Sequence, residues 1–476
     1  MIHNNCEKRN FLFFLYKAHS LNIEDTLIGA LTSPSSWDAV AGMINTARQN
    51  DVFVRSIKKV QLYVHVPFCG RLCTFCHCSR VLLRRRSEVD EYVKALTHQM
   101  KFFAPVYKGM DAGSICFGGG TPSILNEKQM TTILDGVDKA FPSRSRRILT
   151  EVNPTSWTAS KLAILSSRGL FRLSIGIQSL DEKVLKQVSR PQSLKKVLWC
   201  LRSARKAGVP YVNVDLIAGL PGQTIKGLIN DLKILIDEGV NSLYVQPYCG
   251  LSLMELCGPG ETVPVFFKRR DAMMKAAEEV LVKAGFHQGL GVYLRNWESE
   301  DHREEAYTRL EAAVAAFGPS AKGQFPGAVF YQVGASKSTS DFTEINASSQ
   351  DAGYVMAHYA VRAIINGLDE DVFFKRFGVS LERHCGEGLR YLQQHGLVSF
   401  SKGIWKFSGK WEVRWICEYL ALSRVLFGED ILSRLRTRFL GRYDPRQDYS
   451  KGSLFLNAYA NNWLMTLYYM RGVLKN

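Results

Sequence analysis

The stretch Gln61–Arg80 reads QLYVHVPFCGRLCTFCHCSR, and Cys69, Cys73, Cys76 and Cys78 stand within ten residues of it. Gln61–Val66 reads as a short strand, so the thiols follow a strand end. A structural zinc site usually draws four ligands from two well-separated pairs. Here the ligands crowd into one loop, which suits a single iron–sulfur cluster held by Cys69, Cys73 and Cys76 at C-x3-C-x2-C spacing. One iron then keeps an open position for a small molecule, unless Cys78 or another group takes it. A zinc knuckle or incidental buried thiols are the plain structural alternatives.

Composition narrows the class. At 476 residues the chain can hold one large domain of roughly 200–250 residues and smaller units beside it. No run approaches the ~18 apolar residues of a membrane span, and the run Phe11–Tyr16 is too short for a signal segment, so a cytoplasmic enzyme is expected. The cysteine total of eleven is odd, and seven of them (Cys6, Cys116, Cys200, Cys249, Cys257, Cys385, Cys417) are scattered, which argues against a disulfide framework. The excess of 61 Lys+Arg over 44 Asp+Glu suits an anionic substrate, nucleic acid or an anionic membrane, or is simply solvated surface. The dense run Val81–Arg86, VLLRRR, follows the thiols directly and is placed to meet an anion.

Six strand-like runs are expected: Gln61–Val66, Ser114–Phe117, Ile148–Glu151, Arg172–Ile177, Tyr211–Ala218 and Ser242–Pro247. Helix-like runs alternate with them at Val89–Phe103, Glu127–Ala140, Ala159–Arg168, Asp181–Gln187, Leu194–Ala207, Gly227–Glu238 and Arg270–Ala284. The alternation predicts an α/β fold with a parallel βα array whose site lies at the C-terminal strand ends. Residues 1–55 read as an N-terminal helical segment, 56–290 as the core barrel, 291–345 as a connecting segment, and 346–476 as a C-terminal α-rich domain with an extension. Within that last unit Leu389–His395, GLVSF and KGIWKFS read as a helix and a two-stranded wing. The Trp- and Tyr-rich tail reads as a core-packing helix, with membrane or partner docking as its alternative.

Two further patterns fall near strand ends. Phe117–Ser123, FGGGTPS, supplies bare glycines that let a ligand approach the backbone, or that merely make a tight turn. Glu151, Gln178, Arg190 and Asp215 place polar groups where apolar side chains would otherwise close a barrel. Each reads alternatively as a satisfied core polar group. Together they make a ring of acceptors and one guanidinium, suited to ribose hydroxyls and an amino-acid carboxylate.

In these residues the chain resembles the radical SAM enzymes, and more narrowly the oxygen-independent coproporphyrinogen III oxidase-like (HemN-like) branch, whose Tyr-x-His-x-Pro-Phe-Cys opening matches Tyr63–Cys69. That branch also contains haem chaperones and methylases. The resemblance implies a partial (βα)6 barrel with a winged-helix-like C-terminal domain. It implies a [4Fe-4S] cluster on Cys69, Cys73 and Cys76, and cleavage of S-adenosylmethionine (SAM) to a 5′-deoxyadenosyl radical. Gly118, Gly119, Gly120 and Thr121 match SAM contacts. Tyr63 and Glu151 match residues on the cluster-bound SAM, while Phe75, Gln178, Arg190 and Asp215 match those on a second SAM. Cys249 matches a position beside that second SAM, although a buried structural thiol is the plainer reading of it. Cys78 carries the oxidase mark where haem chaperones have Phe, and Cys78 and Arg190 are the residues expected to act on the second SAM or the substrate.

The later motifs depart from that branch. The oxidases' Asp-His-Phe-Ala signature is absent near Gly291–Trp297, and so is the chaperones' His-Asn-x-x-Tyr-Trp motif; His302 reads as a surface residue. Because a cofactor performs the hard step and the protein chooses the substrate, these departures bear on the substrate. The first reading is C-methylation of an aromatic or conjugated small molecule with the second SAM as methyl donor. The alternatives are oxidative decarboxylation of coproporphyrinogen III, a haem chaperone and, from charge alone, a tRNA-modifying enzyme. Expected partners are a small-molecule substrate and an electron donor such as flavodoxin or ferredoxin. No nucleic-acid partner is expected, and peripheral membrane contact is left open.

Overall fold

The computed structural model describes residues 33–76, 78–248, 263–288, 292–295, 312–334, 344–350 and most of 355–407. Cys249, His302 and the C-terminal tail lie outside the described residues.

The central array runs β2 (Lys59–Val66), β5 (Asp111–Gly119), β6 (Arg147–Val152), β7 (Leu170–Gln178), β8 (Tyr211–Ala218) and β9 (Ser242–Pro247), each strand parallel to the next. A two-stranded ribbon, β3 (Phe68–Cys69) with β4 (Val81–Leu82), rises from the end of β2. The crossovers are α3 (Arg86–Phe103), α4 (Glu127–Ala140), α5 (Ala159–Ser167), α6 (Glu182–Gln187) with α7 (Leu194–Lys206), and α8 (Ile225–Asp237); α9 (Val263–Lys283) follows the last strand. Local chemistry sets the helix starts. Asn126, Thr158, Asp181, Ser193 and Thr224 each accept a first-turn amide, and Asn126 with Gln129 completes a capping box.

Alternation along the strands decides which side chains face the site. In β8 Val212, Val214 and Leu216 pack under the helices, leaving Asn213, Asp215 and Ile217 toward the cavity. In β7 Leu173, Ile175 and Ile177 are buried, while Arg172, Ser174, Gly176 and Gln178 face inward. A one-residue slip would exchange the two sets, so the outward apolar side chains hold the polar ring in place.

Within 291–345, expected to connect, the described strands add to the sheet. β12 (Ala312–Phe317) pairs parallel to β2 from Ala312↔Lys59 to Phe317↔Val64, making a seventh parallel strand. Its sequence, AAVAAF, is weak in β-branched residues, and its pairing with β2 on one side and the following strand on the other makes it a strand. β13 (Lys322–Phe325), β14 (Val329–Val333), β15 (Ile345–Ser349) and β1 (Ser33–Ser35) continue that side antiparallel. At the other end β11 (Val292–Leu294) and β10 (His287–Gln288) cap β9. Among the described residues the strand order ends at β1 and β10, consistent with a partial barrel.

Near the N-terminus α1 (Trp37–Asn50) and α2 (Val52–Ser56) pack on this sheet, with Val40, Ile44 and Val54 in the main core. The second unit has its own core around Phe373, Leu381 and Leu389. There α11 (Leu381–Gln394), preceded by α10 (Glu370–Phe377), leads into β17 (Val398–Ser401) and β18 (Ile404–Phe407). The wing has three strands instead of two, because β16 (Leu368–Asp369) pairs with β18. Among the described residues no helix is long and apolar enough to cross a membrane.

Candidate active site

A cavity of about 980 Å³ opens at the C-terminal strand ends. Its rim is the loop that carries the four thiols. The backbone fastens that loop at several points: the Thr74 amide donates to Val188 O (3.2 Å), the Leu83 amide to Cys69 O (2.9 Å) and the Val81 amide to Pro67 O (2.8 Å). Arg80 clamps it further, donating to Cys73 O (2.8 Å) and Cys78 O (3.2 Å).

Cys69, Cys73, Cys76 and Cys78 all line the cavity. Thr121 Oγ1 donates to Cys69 Sγ at 3.3 Å, and the Arg190 guanidinium lies 3.7 Å from Cys73 Sγ. Burial raises the Cys69 thiol, which the Thr121 hydroxyl partly offsets. The Cys78 thiol hydrogen-bonds that of Cys76, which lowers Cys76 and raises Cys78. Among the described residues no three His, Cys, Asp or Glu side chains converge on one point as a mononuclear ion requires. A polynuclear cluster takes one thiolate per iron. Three thiols spread round one cavity, with polar groups beyond them, fit such a cluster and a chelating amino acid.

Deeper in, Glu151 and Asp215 present carboxyls to the cavity. Glu151 is reached by solvent through the cavity yet enclosed by protein; that enclosure, then Asp215 and Cys76, raises it to about 8. Burial also raises Asp215, opposed by the Asn213 amide at 2.8 Å and by Arg172. Gln178 has a left-handed φ of +71° at the end of β7, an uncommon state that aims its side chain back over Gly176. Arg190 donates to Gly176 O and lies 6.0 Å from the Phe75 ring centre, so it joins the thiol loop to β7. These carboxyls and guanidinium groups supply what ribose hydroxyls, an ammonium and a carboxylate need.

Most of the predicted residues meet here: Cys69, Cys73, Phe75, Cys76, Cys78, Gly119, Gly120, Thr121, Glu151, Gln178, Arg190 and Asp215 line one cavity. Tyr63 and Gly118 stand just behind that wall, against Glu151. The Tyr63 hydroxyl lies 3.2 Å from His65 Nδ1, and the cavity residues Glu151, Cys116 and Cys78 are among its neighbours. His65 Nε2 faces the carbonyl of Ser79 at 2.8 Å, and since a carbonyl only accepts, Nε2 carries the proton and Nδ1 accepts from Tyr63. The triple glycine also answers to the protein's own packing. A Cβ on Gly118 would meet Tyr63 at 3.1 Å, one on Gly119 the His65 ring at 2.8 Å, and one on Gly120 the Pro67 carbonyl at 2.7 Å. These glycines make room first for the protein itself; Gly119 and Gly120 then offer their backbone to the cavity.

His65, Cys116, Arg172 and Asn213 were not picked out from the sequence, yet His65 supports the rim and the other three line the cavity. The signal existed in the alternation: Cys116 stands two residues before Gly118, Arg172 six before Gln178, and Asn213 two before Asp215.

Comparison with known proteins agrees with this geometry. Residues 63–235 match the model of the radical SAM superfamily. The oxygen-independent coproporphyrinogen III oxidase of Escherichia coli (strain K12) is 33% identical over 195 residues, 41% of this chain and 43% of that protein. The haem chaperone HemW of Bacillus subtilis (strain 168) is 32% identical over 192 residues, 39% of this chain and 50% of that one. The chain thus spans about half the length of these curated relatives. The solved E. coli coproporphyrinogen III oxidase superposes with a TM-score of 0.67 at 21% identity, over 78% of this chain and 92% of that one, a likeness of fold. By its thiol loop, its sheet and these matches, residues 63–235 of the chain match a radical SAM domain with similarity to the HemN-type coproporphyrinogen III oxidases and to HemW, and radical SAM proteins use a [4Fe-4S] cluster and SAM.

Proposed function

We propose that this protein performs radical chemistry on a conjugated, anionic small molecule, with the cluster on Cys69, Cys73 and Cys76 and SAM seated between the thiol loop and the inward faces of β6, β7 and β8. The observation that carries the reading is the convergence of three thiols, two carboxyls and the Arg190 guanidinium on one cavity. Cys69, Cys73 and Cys76 would hold the cluster, which would supply one-electron reductive cleavage of SAM.

The chain's own residues do the positioning. Thr121 and Arg190 donate toward the Cys69 and Cys73 sulfurs, which moderates thiolate charge. Glu151 and Asp215 accept from hydroxyl or ammonium donors, and the groups that enclose them strengthen those bonds. Arg71, Arg80 and Arg86 line the mouth and favour an anion. At about 980 Å³ the cavity stands at the upper end for one ligand, roughly 300–1,000 Å³, which supports a substrate or second SAM beside the first.

Two outcomes separate on the fate of that second SAM. Oxidative decarboxylation, as in coproporphyrinogen III, is supported by the names of the oxidase relatives and by Cys78. C-methylation of an aromatic or conjugated acceptor is supported by Phe75, Gln178, Arg190 and Asp215 at the second-SAM positions and by the missing oxidase signature; the named relatives lend it nothing. A cytoplasmic location goes with either, because a thiolate-held cluster persists where thiols stay reduced. The test is anaerobic incubation of the reconstituted protein with methyl-labelled SAM and coproporphyrinogen III or other conjugated acceptors. Deoxyadenosine with carbon dioxide and no S-adenosylhomocysteine marks decarboxylation. Deoxyadenosine, S-adenosylhomocysteine and a labelled product mark methylation. Haem binding with no SAM cleavage would sink both and leave a chaperone.

A further inference from the structure

Outside the cavity, the ribbon that carries Cys69 bears a surface that the chemistry inside does not use. Between residues 71 and 86 there are five arginines and no carboxylate. Arg80 is turned inward onto the thiol loop, and Arg86 reaches the Ile124 carbonyl at the cavity wall. Arg84 and Arg85 face out; the Arg85 side chain is 80% exposed and also pairs with Glu88 at 3.5 Å. Among them stand Leu72, Val81 and Leu82, which are 43%, 38% and 44% exposed. Val81 and Leu82 pair directly with Phe68 and Cys69 across the ribbon, so this surface lies on the strand next to that of Cys69.

We propose that Leu72, Val81, Leu82, Arg84 and Arg85 form the docking surface for an acidic protein that carries a one-electron redox centre. The proposal rests on the function proposed above, since a cluster that gives up one electron per SAM cleaved must be refilled from outside the chain. An apolar centre rimmed by guanidinium groups suits a protein face: the aliphatic side chains exclude water while the arginines pair with carboxylates. A ligand that is only a small anion needs no exposed Leu–Val–Leu surface. The position adds the second argument, because a carrier seated here touches the strand of Cys69, whose carbonyl accepts from Leu83 at 2.9 Å. The step itself is simple: the carrier loses one electron, the cluster gains one, and no bond or proton moves.

The test compares the full-length reconstituted protein with its Arg84→Glu/Arg85→Glu and Leu82→Ser variants. None of these residues lines the cavity. Deoxyadenosine formation is driven in parallel by reduced flavodoxin, as the acidic carrier, and by dithionite, a small reductant that needs no docking face. The double reversal is expected to slow the flavodoxin-driven rate at least about tenfold and the dithionite-driven rate by less than about twofold, with a weaker and less salt-dependent flavodoxin Kd in anaerobic titration. Leu82→Ser is expected to weaken flavodoxin with an unchanged salt slope. Equal flavodoxin-driven rates in variant and wild type, or equal losses with both reductants, overturn the proposal. So does tighter binding to phosphatidylserine vesicles or tRNA than to flavodoxin, lost in the double variant. If the wild type cleaves no SAM even with dithionite, the functional reading fails, and docking is judged by the titration alone: equal Kd for wild type and double variant refutes it.

Discussion

Replacing the glycines of the FGGGTPS segment by alanine one at a time should destabilise the protein even before any cofactor is bound. At Gly120 an added Cβ would lie 2.7–2.8 Å from the Pro67 and Phe68 carbonyl groups. These are backbone atoms leading into β3, held by the Val81 amide on Pro67 O, so they cannot turn aside as a side chain would. Moving them out to ordinary contact is an overpacking strain of about 1–3 kcal/mol. Gly119 adds a φ of +107° to a contact with the His65 ring at 2.8–2.9 Å, and a side chain there costs a further ~1–3 kcal/mol of backbone strain. At Gly118 the nearest atoms, 3.1–3.3 Å away, are the ends of the Tyr63 and Glu151 side chains, which can give, so about 1 kcal/mol or less is expected. Gly70, on the thiol loop with nothing within 4 Å, is the control and should change stability by less than about 0.5 kcal/mol. Urea unfolding of the cofactor-free protein at constant m measures the series directly. The predicted order of loss is Gly119 at least as large as Gly120, then Gly118, then Gly70. A Gly120→Ala protein as stable as wild type without cofactor, but impaired in SAM binding, would refute the packing argument and return these glycines to a ligand role alone.

Three other outcomes follow from the site. Cys69→Ser, Cys73→Ser and Cys76→Ser should each lose the brown iron–sulfur absorbance after anaerobic reconstitution, whereas Cys78→Ala should keep it; full absorbance in any of the first three removes that residue from the ligand set. Buried Lys161 donates to Ser123 O (2.7 Å) and Ser156 O (2.8 Å), and Lys161→Met should cost about 1–3 kcal/mol by stranding both carbonyls and should weaken SAM binding through the Ser156 wall, as read by denaturation and titration. Asp231 accepts from Ser179 Oγ (2.8 Å) and the Leu180 amide (3.0 Å), and burial raises its pKa despite both bonds. The raised folded pKa means that the native state holds this proton longer than the unfolded chain does. Its contribution is therefore fully present below about pH 4 and declines as pH rises through the folded pKa. Unfolding of Asp231→Asn against wild type from pH 3.5 to 7 should show the variant gaining relative stability with pH, and a flat difference would contradict the argument.

Several features were legible in the residues themselves. C-x3-C-x2-C places three thiols on one short loop whatever surrounds it, because spacing along the chain limits how far they can separate. The alternation of β and α runs from Gln61 to Ala284 prescribes a parallel array, since outward Val, Leu and Ile must be covered by the helices that follow. Polar residues at strand ends, such as Glu151, Gln178 and Asp215, could be assigned to one end of that array for the same reason. Other features belong to neighbours distant in sequence. AAVAAF becomes a strand between Lys59–Val64 and Lys322–Phe325, and the wing gains a third strand where Leu368 meets Trp405. The glycines of FGGGTPS look ligand-facing until the Tyr63 and His65 side chains arrive from β2. Periodicity fixes which face a residue takes, and that is a local property of the chain. Whether the space on that face is filled by the protein or left to a ligand depends on the side chains of other strands, and only the folded register decides it.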